Sequence, residues 1–147
     1  MAMAWNCLEE YIANGNIMTL RRYADNSAVM DSLTYNYTSN TNRLAYVDDV
    51  VAGGSFSVDV DDQAAANYTY DAIGNLTSDN AESIDAIYWN VYGKIDSIKR
   101  DAASNKQHLW FRYGPDGNRI MKKSVEEGES DTAYTYYVRD EIGRAHV

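Results

Sequence analysis

The sequence predicts an all-β fold of tandem β-hairpins that form an open, twisted or spiral antiparallel sheet. Three observations predict it. An aromatic residue followed four positions later by glycine recurs at Tyr11/Gly15, Tyr70/Gly74, Trp89/Gly93 and Tyr113/Gly117. The composition favours strands, with 13 Tyr, 3 Trp and 2 Phe against 1 Pro, because aromatic side chains suit a pleated, half-buried surface. Gly and Asn mark the centre of each unit, with β-branched or aromatic residues on either side, which is hairpin chemistry and excludes helical repeats of similar length.

The best-formed copy is Tyr70-Asp71-Ala72-Ile73-Gly74-Asn75-Leu76. The Asp71 carboxylate is placed to accept backbone amides further round a turn, and Gly74 supplies the positive φ that a tight reversal needs. Asn75 tolerates the same region, and Tyr70 and Leu76 meet as neighbours on one face of the hairpin. Around this copy the chain reads in order as Tyr11 with Gly15-Asn16-Ile17, Tyr37 with Thr41-Asn42-Arg43-Leu44, Trp89 with Gly93-Lys94-Ile95, and Tyr113 with Gly117-Asn118. A last, degraded unit runs through Arg139-Asp140 to Gly143, its aromatics moved to Tyr136 and Tyr137. The anchors at 11, 37, 70, 89, 113 and 139 give the variable period of a repeat architecture. Asp71 is replaced by Ile12, Thr38, Asn90 and Gly114 in the other units, so it reads as a turn-shaping residue and not as a catalyst.

Strands are expected to enter the turns over 33–37, 68–70, 84–90, 109–113 and 133–138, and to leave them over 17–23, 43–50, 76–78, 95–100 and 119–125. The connections are expected at 24–31, 48–67, 101–106 and 126–132. The longest of these, carrying Gly53-Gly54 and Asp59-Val60-Asp61-Asp62, leaves room for an extra short strand over 55–60. Helix is limited to a turn or two within 2–12 or 62–67. Stacked hairpins also leave unpaired strand edges, so residues 1–140 alone are expected to be marginally stable or to aggregate.

Thirteen basic against 22 acidic residues leave a net charge of −9, which repels phosphate backbones and anionic bilayers, so nucleic acid is not an expected partner. No apolar run is long enough to span a bilayer, and no export signal is visible at the start of the chain. Cys7, the single cysteine, reads as an incidental thiol.

The units 68–77, 89–95, 113–119 and Tyr136-Tyr137-Val138-Arg139-Asp140 resemble consecutive tyrosine-aspartate (YD) repeats of the RHS family, and the resemblance covers about residues 10–143. It implies hairpins that wind as a spiral sheet into a hollow shell, as in bacterial polymorphic toxins and related animal adhesion receptors. It also implies a secreted or cell-surface location, with flanking repeats, a core segment and an enclosed C-terminal toxin as partners. Only Tyr70-Asp71 keeps the literal dipeptide among the well-preserved units, and Gly114-Pro115-Asp116-Gly117 is a turn and not the family's self-cleaving core motif. The expected organisation is a lead-in over 1–9, hairpin repeats over 10–140, and a non-native tail over 141–147. Within that tail, Ile142 to Val147 looks like translated read-through of a sequencing adapter.

Catalytic chemistry finds little support. His108 and His146 do not pair at metal-ligand spacing, and no Ser/His/Asp or Cys/His arrangement is evident. Asp59, Asp61 and Asp62 lack the glycine and distal Glu of an EF-hand and read as a solvated loop. Glu126 to Asp131 reads as a charged hairpin tip. No cofactor or metal is expected. The aromatics Tyr88, Trp89, Tyr92 and Trp110 are read first as packing between hairpins and second as flat faces offered to a glycan. Asn36, Asn67 and Asn75 each open an N-glycosylation pattern, which a Tyr/Thr/Asn-rich chain produces easily by chance.

Overall fold

The computed structural model describes residues 8–102, 104–126, 132–139 and 145–146. The lead-in over 1–7 with Cys7, the tip over 127–131, Asp140, and 141–144 and Val147 of the tail lie outside the described residues. Among the described residues there is no helix, and none therefore that could cross a membrane. The chain divides into two compact units, Met1–Thr69 and Tyr70–Val147.

The first sheet is a meander of β1 (Leu8–Tyr11), β2 (Ile17–Tyr23), β3 (Val29–Tyr37) and β4 (Leu44–Asp49) in chain order. The second is a seven-strand meander of β5 (Tyr68–Tyr70), β6 (Leu76–Asp79), β7 (Ile84–Trp89), β8 (Ile95–Arg100), β9 (His108–Tyr113), β10 (Arg119–Val125) and β11 (Thr132–Tyr136). A short pair, β12 (Val138–Arg139) and β13 (Ala145–His146), stands apart from both. Neighbours in both large sheets are consecutive in sequence and the registers are antiparallel, so the all-β hairpin architecture is that of the sequence expectation, with two open sheets.

Three local expectations are corrected. Residues 29–31 belong to β3 and not to a loose connection, because residues 24–28 already make the reversal. Residues 55–60 form no strand, since the Val60 amide is taken by the Asp31 carboxylate (2.8 Å) and the Gly54 amide by Asp61 (3.1 Å), not by a neighbouring strand. Residues 62–67 are not helical, and the described part of 2–12 is strand from Leu8 to Tyr11, while residues 2–7 lie outside the described residues.

Five hairpin turns share one construction. In 12–16, 24–28, 71–75, 90–94 and 114–118 the first amide donates to the fifth carbonyl and the fourth amide to the first carbonyl, at 2.8–3.2 Å. The fourth residue has φ between 63° and 100°. This is a type I turn closed by a left-handed residue, the three-residue hairpin loop whose twist suits antiparallel strands. The register also slips just after the turns at 12–16, 24–28, 90–94 and 114–118: Tyr11 pairs Ile17 while Glu10 pairs Thr19, and Tyr113 pairs Arg119 while Arg112 pairs Met121. The unpaired residue is a β-bulge, which bends the outgoing strand and increases its twist. The 38–43 turn is one residue longer, and its positive φ falls on Asn40 (59°), not on Thr41.

The core is thin. Among the described residues the buried hydrophobic side chains are Met30, Leu33 and Val47 in the first unit, and Ile87 and Phe111 in the second. In the first unit the connection after β4 folds back on the sheet. Gln63 takes the Val47 amide with its side chain (2.9 Å) and returns its own amide to the Val47 carbonyl (3.0 Å), while Asp62 accepts from the Asp49 amide (3.3 Å). These bonds occupy the outer edge of β4, a position that would otherwise invite another strand. The expectation of bare strand edges thus does not hold at β4.

Candidate functional site

The recurring feature is the joint between consecutive hairpins. Inside each five-residue turn, one Asx side chain holds the backbone, from either of two positions. At the first position, Asp71 Oδ1 accepts the amides of Ile73, Gly74 and Asn75 at 2.8–3.0 Å, and Asn90 Oδ1 accepts those of Tyr92 and Lys94 at 2.9 and 3.1 Å. At the third position, Asn14, Asn26 and Asp116 accept the amides of Asn16, Ala28 and Asn118 at 3.0–3.1 Å. The two solutions exclude one another sterically in the last turn: a Cβ on Gly114 would stand 2.8 Å from Asp116 Oδ1. Asp71 is therefore not simply lost in the other units. Its work moves two residues along.

The anchoring aromatics form the second half of the joint. Tyr37 Oη donates to the Ile17 carbonyl (2.8 Å), Trp89 Nε1 to the Leu76 carbonyl (2.7 Å) and Tyr113 Oη to the Ile95 carbonyl (2.8 Å). Ile17 stands six residues after Tyr11, Leu76 six after Tyr70, and Ile95 six after Trp89. The aromatic of one hairpin thus reaches the same carbonyl of the hairpin before it, three times. Replacing Tyr113 by Phe deletes one such donor while keeping the ring, and is expected to cost about 1 kcal/mol. A denaturant midpoint unchanged from wild type would show that the bond contributes nothing net.

Electrostatics at the joint carry a pH signature. Desolvation in the turn pushes the Asp71 carboxyl up, but the hydrogen bonds from Asn75, Gly74 and Ile73 outweigh it and hold the group below its ordinary value of 3.8. Burial pushes the Tyr37 hydroxyl above its ordinary 10.0. For Asp71, whose folded pKa is depressed, the contribution is complete above the ordinary value and lost as pH falls through the folded one. For Tyr37, whose folded pKa is raised, it is complete below the ordinary value and lost as pH rises through the folded one. Thermal melts of wild type and Asp71→Asn are expected to converge on acidification below about pH 4. A gap that stays constant through that range would overturn the assignment to Asp71.

The turn residues Gly15, Asn16, Asp71, Gly74, Asn75, Gly93, Gly117 and Asn118 all lie in these turns, and Tyr11, Tyr70, Trp89 and Tyr113 end the strands that enter them. Asn42 lies in the longer 38–43 turn, where its Oδ1 accepts from the side-chain Nδ2 groups of Asn14 (2.7 Å) and Asn16 (3.2 Å), tying the first and third turns of that unit together. The glycan-facing candidates separate. Tyr92 is 83% exposed and Tyr88 is exposed, whereas Trp89 and Trp110 are half-buried, Trp89 by its joint bond and Trp110 beneath Lys123, whose Nζ is 4.9 Å from the ring centroid. Tyr92 borders a groove of about 500 Å³ between two turns, together with Lys94, Asp96, Arg112, Tyr113 and Asp116.

The remaining polar candidates are engaged structurally. Asn36 Nδ2 donates to Asp48 (2.7 Å), Asn75 Nδ2 donates to Asp71 (2.9 Å) and Asn67 is buried, so each glycosylation pattern has its amide bonded or enclosed. His108 Nδ1 accepts the Arg100 amide (3.0 Å). Among the described residues no group of His, Cys, Asp and Glu converges as a metal-ligand set. One ion pair is buried: Arg22 Nε and Nη2 meet Asp31 Oδ2 and Oδ1 at 2.7 and 2.8 Å. The Asp31 hydrogen bond raises the Arg22 pKa against the lowering effect of burial, with the Asp31 charge adding to the rise.

No protein-family model matches the chain, and no curated protein matches it. The geometry of the joint stands as the ground for a functional reading. Sequence reasoning missed the turn at 24–28, whose signals were Tyr23 and Asn26, because Ser27 holds the place where glycine was sought. It also missed the Arg22–Asp31 pair and the folding back of Gln63.

Proposed function

We propose that this chain is a structural wall segment of an RHS/YD-repeat shell, belonging to a secreted or surface-delivered bacterial protein that encloses a C-terminal toxin used in competition between cells. The segment itself carries no catalysis in this reading. The observation that supports it is the identical joint. A wall grows from hairpins when each unit attaches to the one before it by the same contact, and the bond from an aromatic to the carbonyl six residues after the preceding aromatic is such a contact. Bulges after the turns add the twist that a spiral sheet requires. Reading the gene beyond both ends and imaging its full product by electron microscopy tests the proposal. A hollow hairpin-walled particle with an enclosed C-terminal domain is the expected result; a lectin-like protein with a cell-wall anchor would overturn it.

A second reading, binding of a carbohydrate or cell surface, is favoured by one observation: the Tyr92 ring is exposed beside the groove that also holds Lys94, Asp96, Arg112 and Asp116. Glycan-array binding that disappears in Tyr92→Ala, with the melting temperature unchanged, would select it.

A further inference from the structure

The seven-strand sheet has one face whose charge opposes that of the whole chain. Register places Tyr88, Ser97, Trp110, Lys123 and Tyr134 side by side across β7 to β11, and directly opposed residues share a face. Lys99 lies two residues beyond Ser97, and Arg112 and Tyr136 flank the same row through Met121. Among the described residues of β7 to β11, the register-paired positions of this face include no Asp or Glu, although the chain has 22 acidic residues against 13 basic ones. The carboxylates Asp85 and Asp96 sit unpaired at the register slips of β7 and β8, and Asp96 borders the groove that Arg112 also lines.

The rings on this face are occupied. Lys123 sits over Trp110 at 4.9 Å, Lys99 over Tyr88 at 5.4 Å, and Tyr134 stacks on Tyr136 with centroids 6.3 Å apart and planes 15° off parallel. What the surface offers outward is a row of donors: two ammonium groups held by cation–π contact, the exposed Arg112 guanidinium, and the hydroxyls of three exposed tyrosines.

We propose that this face docks an acidic polypeptide segment in extended conformation. The geometry suits one, because Lys123 lies one strand and one pleat from Arg112, about 8 Å, and two strands and one pleat from Lys99, about 12 Å. Alternate residues of an extended chain lie about 7 Å apart, so two alternate carboxylates reach Lys123 and Arg112 together, with Lys99 adding to the positive charge of the face. Two other polyanions suit it less well. Single-stranded nucleic acid needs open ring faces for its bases, and Lys123 and Lys99 already lie over the Trp110 and Tyr88 rings, while its long phosphate chain also meets the net charge of −9. Acidic glycans likewise lose the flat faces on which sugar rings would lie. The inference does not depend on the shell reading and would survive its failure.

Fluorescence anisotropy with a labelled short peptide of alternating Glu and Ser, added to the full chain at low salt, tests the proposal. Binding is expected to weaken with salt, to fall roughly tenfold or more in Lys99→Gln/Arg112→Gln/Lys123→Gln, and to be unchanged in Arg21→Gln/Lys106→Gln. Should the triple change unfold the sheet, amide and indole chemical shifts of the wild-type protein give the answer, with peptide-induced shifts expected at Trp110, Lys123 and Tyr134. No binding, binding untouched in a folded triple variant, shifts confined to other strands, or tighter binding of oligothymidylate or oligogalacturonate at the same salt would each overturn it.

Discussion

Replacing Arg22 by Met is expected to destabilise the first unit by about 3–5 kcal/mol. Arg22 and Asp31 face one another across β2 and β3, on the face that also carries Leu33 and Val47. The Asp31 side chain is fully buried and that of Arg22 is 28% exposed. The Val60 amide also donates to this carboxylate, at 2.8 Å. Removing the guanidinium leaves a buried carboxylate facing apolar neighbours, and that uncompensated charge, more than the lost attraction, sets the size of the effect. The reverse change, Asp31→Leu, should cost less, because Arg22 can turn its head group to water. The double variant Arg22→Met/Asp31→Leu should recover much of the loss, short of the Val60 amide left without its acceptor. Hydrogen exchange of peptides from β2, β3 and β4 reads the first unit specifically. A loss below about 1 kcal/mol for Arg22→Met would mean that water reaches Asp31 and that the pair is a surface ion pair.

Much of the hairpin order was legible in the chain, and the reason is local. A turn of five residues with a left-handed fourth position writes its demands into consecutive residues, so Gly15, Gly74, Gly93 and Gly117 could be found by spacing alone. Strands β2, β8 and β10 have the same bounds in sequence and structure, because each begins at the residue opposite its aromatic. The turn at 24–28 escaped notice because a side-chain hydrogen bond from Asn26 lets Ser27 hold a φ of 63° where glycine was sought. The joint bonds were not legible, since Tyr37 and Ile17 are brought together by register and not by sequence distance. The same holds for Gln63, whose return to Val47 depends on the path of a long connection. The expected strand over 55–60 failed for a related reason: acidic side chains took the amides that a partner strand would have needed. Composition pointed to strands with a half-buried surface, but it could not show that Lys99, Arg112 and Lys123 share one face.

Replacing Phe111 by Ala should be the most damaging change in the second unit, at about 3–5 kcal/mol. Phe111 is 6% exposed and Ile87 7%, and they are the two buried hydrophobic side chains among the described residues of that unit. A small domain has only about 5–15 kcal/mol of net stability to lose, and here few side chains supply it. The Phe111 ring also carries the Arg119 guanidinium, whose central carbon lies 4.1 Å from the ring centroid. Truncation therefore removes apolar burial, leaves a cavity on one side of the sheet and strips a partly buried cation of its partner. Phe111→Leu separates these contributions. It keeps most of the volume while losing the cation–π contact, so it should cost distinctly less, with about 0.5–2 kcal/mol assigned to that contact. Urea unfolding followed by tryptophan fluorescence in a Trp5→Phe background, which leaves Trp89 and Trp110 as the emitters, measures both variants on a probe inside the same sheet. A shifted midpoint at constant slope is expected, since the surface exposed on unfolding changes little. Equal losses for Ala and Leu would instead assign the effect to the Arg119 contact. A negligible loss for Ala would show that this face is held by its hydrogen-bonded joints and not by a core.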